Sequence, residues 1–322
     1  MHAIAIQHYG NPEVFTEQVL PTPAITETQV LIEMYATTVS SADQLVRSGA
    51  FKELMQLQFP HVLGVEVAGM VRAIGKNVSR LKVGDRVMGL SRSGGGYADF
   101  ISMEENSAIG IPPGLSFQEA AALPAAALSA WQSLFQYGKL NYGQRILIHA
   151  GAGGVGHLAV QMAKQHGAYV LATAREYNHE FVGKLGADEV IDYRATDFAE
   201  AAGGTVDIVL DMVREAVVDA DTGIGATEQK NLQILRDNGR LISLIDPLIA
   251  THPKVRGIEA QFAYIEPNPR DLASIIQQVR EHKLKVHVEE IFPFNMQGIV
   301  DAHNHYETRK IRGKLVILRQ QE

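Results

Sequence analysis

The stretch Ile146-Leu147-Ile148-His149-Ala150-Gly151-Ala152-Gly153-Gly154-Val155-Gly156 constrains this chain more than any other, because a short apolar run breaks abruptly into glycines. A helical segment, His157 to His166, follows. The spacing is that of a dinucleotide-binding turn. Gly151 permits a tight exit from the strand, Gly153 lets backbone N–H groups approach a pyrophosphate, and Gly156 lets the helix pack closely on the strand. A diphosphate would then sit at a helix N-terminus, where unpaired N–H groups and the positive end of the dipole favour an anion. Ala152, Gly154 and Val155 complete the candidate cradle. A bare G-x-G-x-x-G also arises as a simple strand-to-helix turn, so the flanking sequence has to decide.

Gly167-Ala168 closes the helix, and Tyr169 to Ala174 reads as an extended, buried run. Further extended runs follow at Glu189–Tyr193, Val206–Asp211 and Arg240–Ile245, with helical patterns at Asn178–Lys184 and Gln229–Asp237 between them. Strands alternating with helices predict an α/β fold with a doubly wound parallel sheet, the Rossmann arrangement.

A chain of 322 residues suits two domains, each large enough for its own core. The net charge of −7, without a long basic cluster, gives no attractive field for nucleic acid or an anionic membrane. The partner expected is a small molecule. No run approaches the roughly 20 apolar residues of a membrane span, and Met1 to Ile6 lacks a basic, cleavable leader, so a cytoplasmic location is expected. With no cysteine, disulfides, thiolate metal sites and cysteine nucleophiles are excluded.

The first 120 residues consist of short apolar runs broken by Pro, Gly and Asn, which predicts a β-rich domain. Gly64, Gly69, Gly75, Gly84 and Gly89 read as tight turns needing positive φ. From Ser116 to Tyr137 the texture turns to Ala-rich helix, with Pro124 suited to the first turn of a second helix. After about residue 265 come a helix at Asp271–His282, a strand at Val286–Ile291, a helix at Met296–Glu307 and a strand at Lys314–Leu318. The tail is expected to return to the first domain. The expected organisation is residues 1–123 plus 285–322 for the β-rich substrate domain and 124–284 for the dinucleotide domain. Of the twelve histidines, His303 and His305 lie two apart in a helix and do not face each other. They, with His2, His8, His282 and His287, read as exposed.

The glycine turn, the β-rich first third and the closing Arg312-Gly313-Lys314-Leu315-Val316-Ile317-Leu318 resemble the medium-chain dehydrogenase/reductase superfamily. Within it the match is to the zinc-free quinone oxidoreductase branch, that of the zeta-crystallin-like proteins. Supporting stretches are Val62 to Gly69, Leu81 to Val87, Ala121 to Pro124 and Leu185 to Tyr193. The resemblance implies a GroES-like domain joined to a Rossmann domain, a cleft between them as active site, and commonly a homodimer. Where zinc-dependent relatives carry a Cys ligand this chain has Ser40, and where they carry a His ligand it has Val65. A hydroxyl and an isopropyl group do not hold Zn²⁺, so no metal is expected.

NAD enzymes place an acid about 20 residues past the first glycine, and here that window reads Thr173-Ala174-Arg175. Arg175, helped by hydroxyls of Thr173, Tyr177 and Tyr193, would favour the 2′-phosphate of NADPH over NADH. Glu176 is the counter-evidence. By resemblance, Ser129 lies beside the nicotinamide, and Ser243, Leu244 and Ile245 follow the last major strand over it. The same resemblance puts Ser40, Phe51, Val65, Phe262 and Tyr264 in the substrate pocket, with Ser40 and Tyr264 as candidate hydrogen-bond donors and the catalytic group otherwise unassigned. Asp43 and Glu66 read as structural acids holding loops. The implied activity is hydride transfer to a quinone or an α,β-unsaturated carbonyl, an enone or enal. Two alternatives stay open: a non-catalytic NADPH-binding sensor or structural protein, and a reductase of enoyl thioesters.

Overall fold

A computed structural model describes residues 1–53, 56–213 and 224–320. Chain order begins with β1 (His2–Ile6), β2 (Phe15–Val19), β3 (Gln29–Val39), α1 (Ser41–Arg47), β4 (His61–Val62), β5 (Glu66–Ile74), β6 (Arg86–Leu90), β7 (Phe100–Glu104) and β8 (Ala108–Gly110). Two helices follow, α2 (Phe117–Ala121) and α3 (Pro124–Trp131). Next come β9 (Arg145–Ile148), α4 (Gly156–Gln165), β10 (Tyr169–Ala174), α5 (His179–Lys184), β11 (Glu189–Asp192), α6 (Phe198–Ala201), β12 (Val206–Asp211), α7 (Ala226–Ile234), β13 (Leu235–Ser243) and β14 (Glu259–Phe262). The chain ends with α8 (Pro269–Arg280), β15 (Val288–Pro293), α9 (Met296–Glu307) and β16 (Lys314–Leu318). Among the described residues no helix is long and apolar enough to cross a membrane.

Two compact units emerge. One comprises Met1–Ala126, Pro267–Glu281 and Val286–Glu322; the other comprises Ala127–Glu266 and His282–Lys285. In the first, β1 sits between β2 and β4 in a small antiparallel sheet, and a larger mixed sheet runs β15-β16-β3-β5-β6-β8, with β7 also on β3. β3 is long enough to pair with β16 along its C-terminal half and with β7 along its N-terminal half. The second unit holds a parallel sheet in the order β11-β10-β9-β12-β13-β14. That is the doubly wound order, with its switch point between β9 and β12. Strands buried on both faces explain the near-continuous apolar runs Ile146–Ile148, Val170–Ala172 and Ile208–Leu210.

Several expectations change. The helix expected over Gln229–Asp237 stops at Ile234, and Leu235 already pairs with Val206. Burial decides this: Leu235 is fully enclosed in the core with Val206 and Leu241. Asn238, at φ 59°, and the register shift before Arg240 absorb the irregularity this early entry creates. Of the five glycines read as positive-φ turns, only Gly64 (91°) and Gly84 (90°) have such angles. Gly69 is instead forced by proximity, since a Cβ there would lie 1.9 Å from the Glu33 carbonyl oxygen.

His303 corrects the histidine reading. It is buried, whereas His8 and His282 are exposed and His2, His287 and His305 are partly buried. Its Nδ1 accepts from Arg47 Nε at 3.3 Å and its Nε2 lies 3.0 Å from the Tyr97 hydroxyl, which in turn donates to the Thr38 carbonyl at 3.2 Å. With Nδ1 accepting, the proton sits on Nε2 and the ring is neutral. Burial, and secondarily the positive charge of Arg47, pushes its pKa down to about 3.

An unfolded chain takes up this proton near the ordinary value of about 6.5. Between the two values the unfolded state binds more protons, so this contribution is full above about pH 6.5 and is lost as pH falls toward 3. His303→Gln is therefore expected to flatten the acid limb of stability by one proton, measured as urea midpoints from about pH 4 to pH 7.

Candidate functional site

The glycine turn is built by contacts from two strands and a helix. β9 ends at Ile148, and Ala150, not Gly151, takes the left-handed angle at φ 50°. Gly151 is required for space, because a Cβ would meet the Ala172 Cβ at 2.9 Å. Gly156 is more constrained still, its hypothetical Cβ lying 2.2 Å from the Ala150 carbonyl oxygen. The first turn of α4 is thereby pressed onto the loop. At Gly153 a Cβ would have one neighbour within 4 Å, the Ala150 oxygen at 3.3 Å, so this position is the least crowded of the three. Gly153, Gly154 and Val155 are partly exposed, while Gly151, Ala152 and Gly156 are buried. A diphosphate fits such a lip: side-chain-free backbone faces outward at the N-terminus of a ten-residue helix.

Thr173 turns out to be part of that turn. It is buried; its hydroxyl accepts from Ala150 N–H at 3.1 Å and lies 3.2 Å from His149 Nδ1, and its carbonyl accepts from Gly151 N–H at 2.9 Å. His149 Nε2 reaches Asn231 Oδ1 on α7 at 2.8 Å. The consistent proton order has His149 donating to Asn231 and accepting from Thr173. The Thr173 hydroxyl is therefore engaged inside the turn. His149 and Asn231 were not singled out from sequence, since a histidine in a strand gives no sign of its partner 82 residues on.

Arg175, Tyr177 and Tyr193 are brought together. Arg175 follows β10, Tyr193 follows β11, and those strands pair in parallel up to Ala174 and Asp192. Arg175 Nε donates to the Tyr193 hydroxyl at 3.0 Å. Hydrogen bonding to Tyr193, with a smaller contribution from Tyr177, raises the Arg175 pKa, so it is a permanent cation. Both tyrosine rings are about half exposed. Ala174 is buried, and Glu176 is exposed as the first residue of a 3-10 turn.

At the other half of the sheet edge, Ser243 is fully buried and its hydroxyl accepts from Ile245 N–H at 3.2 Å and Asp246 N–H at 3.0 Å. Leu244 N–H bonds to the Asp211 carbonyl at 3.0 Å. Ser129 is partly buried in α3. Phe262 and Tyr264 have ring centroids 6.2 Å apart, Phe262 packed on the core and Tyr264 56% exposed.

In the β-rich unit, Ser40 caps α1. Its hydroxyl donates to Asp43 Oδ2 at 2.6 Å, so its single proton is already engaged. Asp43 is buried and also accepts from Ser40 N–H at 2.9 Å and Gly64 N–H at 2.8 Å. Burial raises its pKa against the opposing effect of these hydrogen bonds. Val65, partly buried, follows Gly64, and Phe51 lies partly buried beyond α1. Glu66 is fully buried; it takes an ion pair from Lys314, a hydrogen bond from the Thr38 hydroxyl, and Ala125 N–H at 2.8 Å. Asp43 and Glu66 thus hold loops and a helix start, as their sequence positions suggested.

Among the described residues Glu228, Asp246 and His252 form a grouping of metal-type donors. The imidazole is already shared, with Nδ1 2.9 Å from Glu228 Oε1 and Nε2 3.6 Å from Asp246 Oδ2.

Comparison with known proteins gives a consistent picture. The alcohol dehydrogenase GroES-like domain model matches residues 26–132, and the zinc-binding dehydrogenase model matches residues 185–317. The 2-methylene-furan-3-one reductase of Solanum lycopersicum is 31% identical, over 98% of this chain and 79% of its own. The structure of the quinone oxidoreductase from Coxiella burnetii aligns with a TM-score of 0.87 at 34% identity, covering 99% of both chains. That of the Escherichia coli quinone oxidoreductase complexed with NADPH aligns at 0.83 and 24% identity over 99% of this chain and 100% of that one, a likeness of fold.

Thr173→Val removes the acceptor for Ala150 N–H and the donor to His149. It is expected to cost about 1–3 kcal/mol of stability and to weaken dinucleotide binding. Thr173→Ser should retain both, as read by thermal denaturation and fluorescence titration.

Proposed function

The chain belongs to the medium-chain dehydrogenase/reductase superfamily, in its quinone oxidoreductase branch, and from that premise we propose that it is an NADPH-dependent reductase of quinones and α,β-unsaturated carbonyls. That it is an oxidoreductase follows from the family. The choice of NADPH rests on one observation: Arg175 held by Tyr193 at the end of β10, where an acid would bind the ribose hydroxyls of NAD. A guanidinium fixed between two phenols matches a phosphate monoester in charge and in hydrogen-bond donors. The Gly153–Gly156 lip would hold the diphosphate, and the Ser243–Ile245 loop the other end of the dinucleotide.

When bound, the nicotinamide supplies a hydride to an acceptor that is already electrophilic. One hydride and one proton reduce the acceptor, a quinone to its hydroquinone or an enone to the saturated ketone, with NADPH oxidised to NADP⁺. The work left to the protein is placement and exclusion of water. Of the two candidate donors to the acceptor oxygen, Ser40 and Tyr264, the Ser40 hydroxyl already donates to Asp43. The acceptor class is supported by relatives whose names are those of a quinone oxidoreductase and a furanone reductase. No zinc takes part in this reading, since Ser40 and Val65 stand where zinc-dependent relatives have ligands. The working form is taken to be a homodimer acting on small molecules, without nucleic acid or membrane partners.

The test is oxidation of NADPH against NADH with a panel of a quinone, an enone, an enal and a simple ketone. NADPH-dependent turnover of the conjugated acceptors alone is expected, unchanged by a chelator. Turnover of the simple ketone in a chelator-sensitive manner would sink the zinc-independent reading. Arg175→Ala should raise KM for NADPH at least tenfold, about 1.4 kcal/mol, while that for NADH moves little.

A further inference from the structure

Directly after α3 the helix changes character: Gln132–Tyr137 is a π-helix, with Gly138 N–H bonded to the Ser133 carbonyl five residues back at 2.8 Å. Two of its side chains grip the backbone beyond β14. Gln132 Nε2 donates to the Glu266 carbonyl at 2.9 Å, and its Oε1 accepts from Glu266 N–H at 3.0 Å. The Tyr137 hydroxyl accepts from Tyr264 N–H at 3.1 Å and donates to the Tyr264 carbonyl at 3.0 Å. Each side chain thus makes the pair of bonds that a neighbouring strand would make.

Helix geometry explains why the π-turn is there. At 3.6 residues per turn, side chains five apart point roughly 140° from one another, and both could not reach one short segment. In an i→i+5 turn residues five apart return to the same face. The widened turn is what places Gln132 and Tyr137 over the same stretch of chain. π-turns are rare and gather at functional sites, where the irregularity serves geometry rather than stability.

The gripped segment continues β14 past the C-terminal edge of the sheet. Ala263 N–H still bonds to the Ser243 carbonyl at 2.8 Å, alongside the Ser243–Ile245 loop. Ligands of doubly wound sheets lie outside this edge, spread to either side of the switch point. Arg175 marks the adenosine side, beyond β10. The β13–β14 side therefore faces the nicotinamide end.

We infer that Gln132 and Tyr137 are positioning residues for hydride transfer, which hold Tyr264–Glu266 as a fixed wall for the nicotinamide end of the cofactor. The inference rests on the dinucleotide reading above. Neither residue need touch the ligand. Both act through the backbone they hold.

The full-length variants Tyr137→Phe and Gln132→Leu remove the clamp while keeping ring or side-chain bulk, and Gln132→Glu keeps its accepting half. Expected are a roughly tenfold fall in kcat at saturating substrates, a larger primary isotope effect with C4-deuterated NADPH, and an NADPH-over-NADH preference within twofold of wild type. Gln132→Glu should fall between. A second readout needs no acceptor: the fluorescence lifetime of bound NADPH should shorten in the variants as the ring gains freedom. A lowered melting temperature with unchanged lifetime and isotope effect would assign the clamp to stability alone and overturn the inference. Wild-type protein that binds neither NADPH nor NADH would overturn the dinucleotide reading itself, and the inference with it.

Discussion

The contact between the Gly156 backbone and the Ala150 carbonyl is the constraint on which the dinucleotide-binding unit depends. It leaves no room for a Cβ and brings the start of α4 against the end of β9. The conformational cost falls on Ala150, a non-glycine residue with positive φ, of the order of 1–3 kcal/mol. Such an angle persists only where its surroundings over-determine it. Here the Thr173 hydroxyl takes the Ala150 N–H, His149 takes the Thr173 proton, and Asn231 takes the His149 proton. Two strands and a helix therefore agree on the path of the turn. The outward-facing Gly153 lip follows from that agreement.

The β-rich unit uses buried charge to similar effect. Glu66 and Lys314 pair in its interior, with the Thr38 hydroxyl and Ala125 N–H occupying further carboxylate lone pairs. A buried pair of this kind contributes little net stability, yet removing one partner strands the other charge. Its value is in specification: it joins β5, β16 and the start of α3 at one point. Asp43 does the same on a smaller scale for the α1 cap and the Gly64 turn. With Ser40 donating to this carboxylate, the region is a hydrogen-bonded corner of the unit.

Parts of this organisation were legible in the residues. The strands Tyr169–Ala174, Val206–Asp211 and Lys314–Leu318 and the helix Met296–Glu307 coincide with the sequence pattern, because strands buried on both faces are continuous apolar runs and amphipathic helices repeat at 3.6 residues. The end of α7 was not legible, since nothing local distinguishes a helical Leu235 from one that pairs with Val206. His303 was misplaced for a related reason. Its helix neighbours give only its angular position, while its burial depends on Arg47 and Tyr97, 256 and 206 residues away.

Sequence by itself determined the two kinds of texture, the glycine turn and the absence of cysteine. These are properties of residue type and short spacing. Tertiary structure alone decided that the Thr173 hydroxyl belongs to the turn, that Arg175 is held by Tyr193, and that a π-turn aims Gln132 and Tyr137 at one segment. Those are partnerships between residues far apart in the chain. Hydrogen bonding is directional and short-ranged, so which donor meets which acceptor is settled only when packing has brought the strands into register.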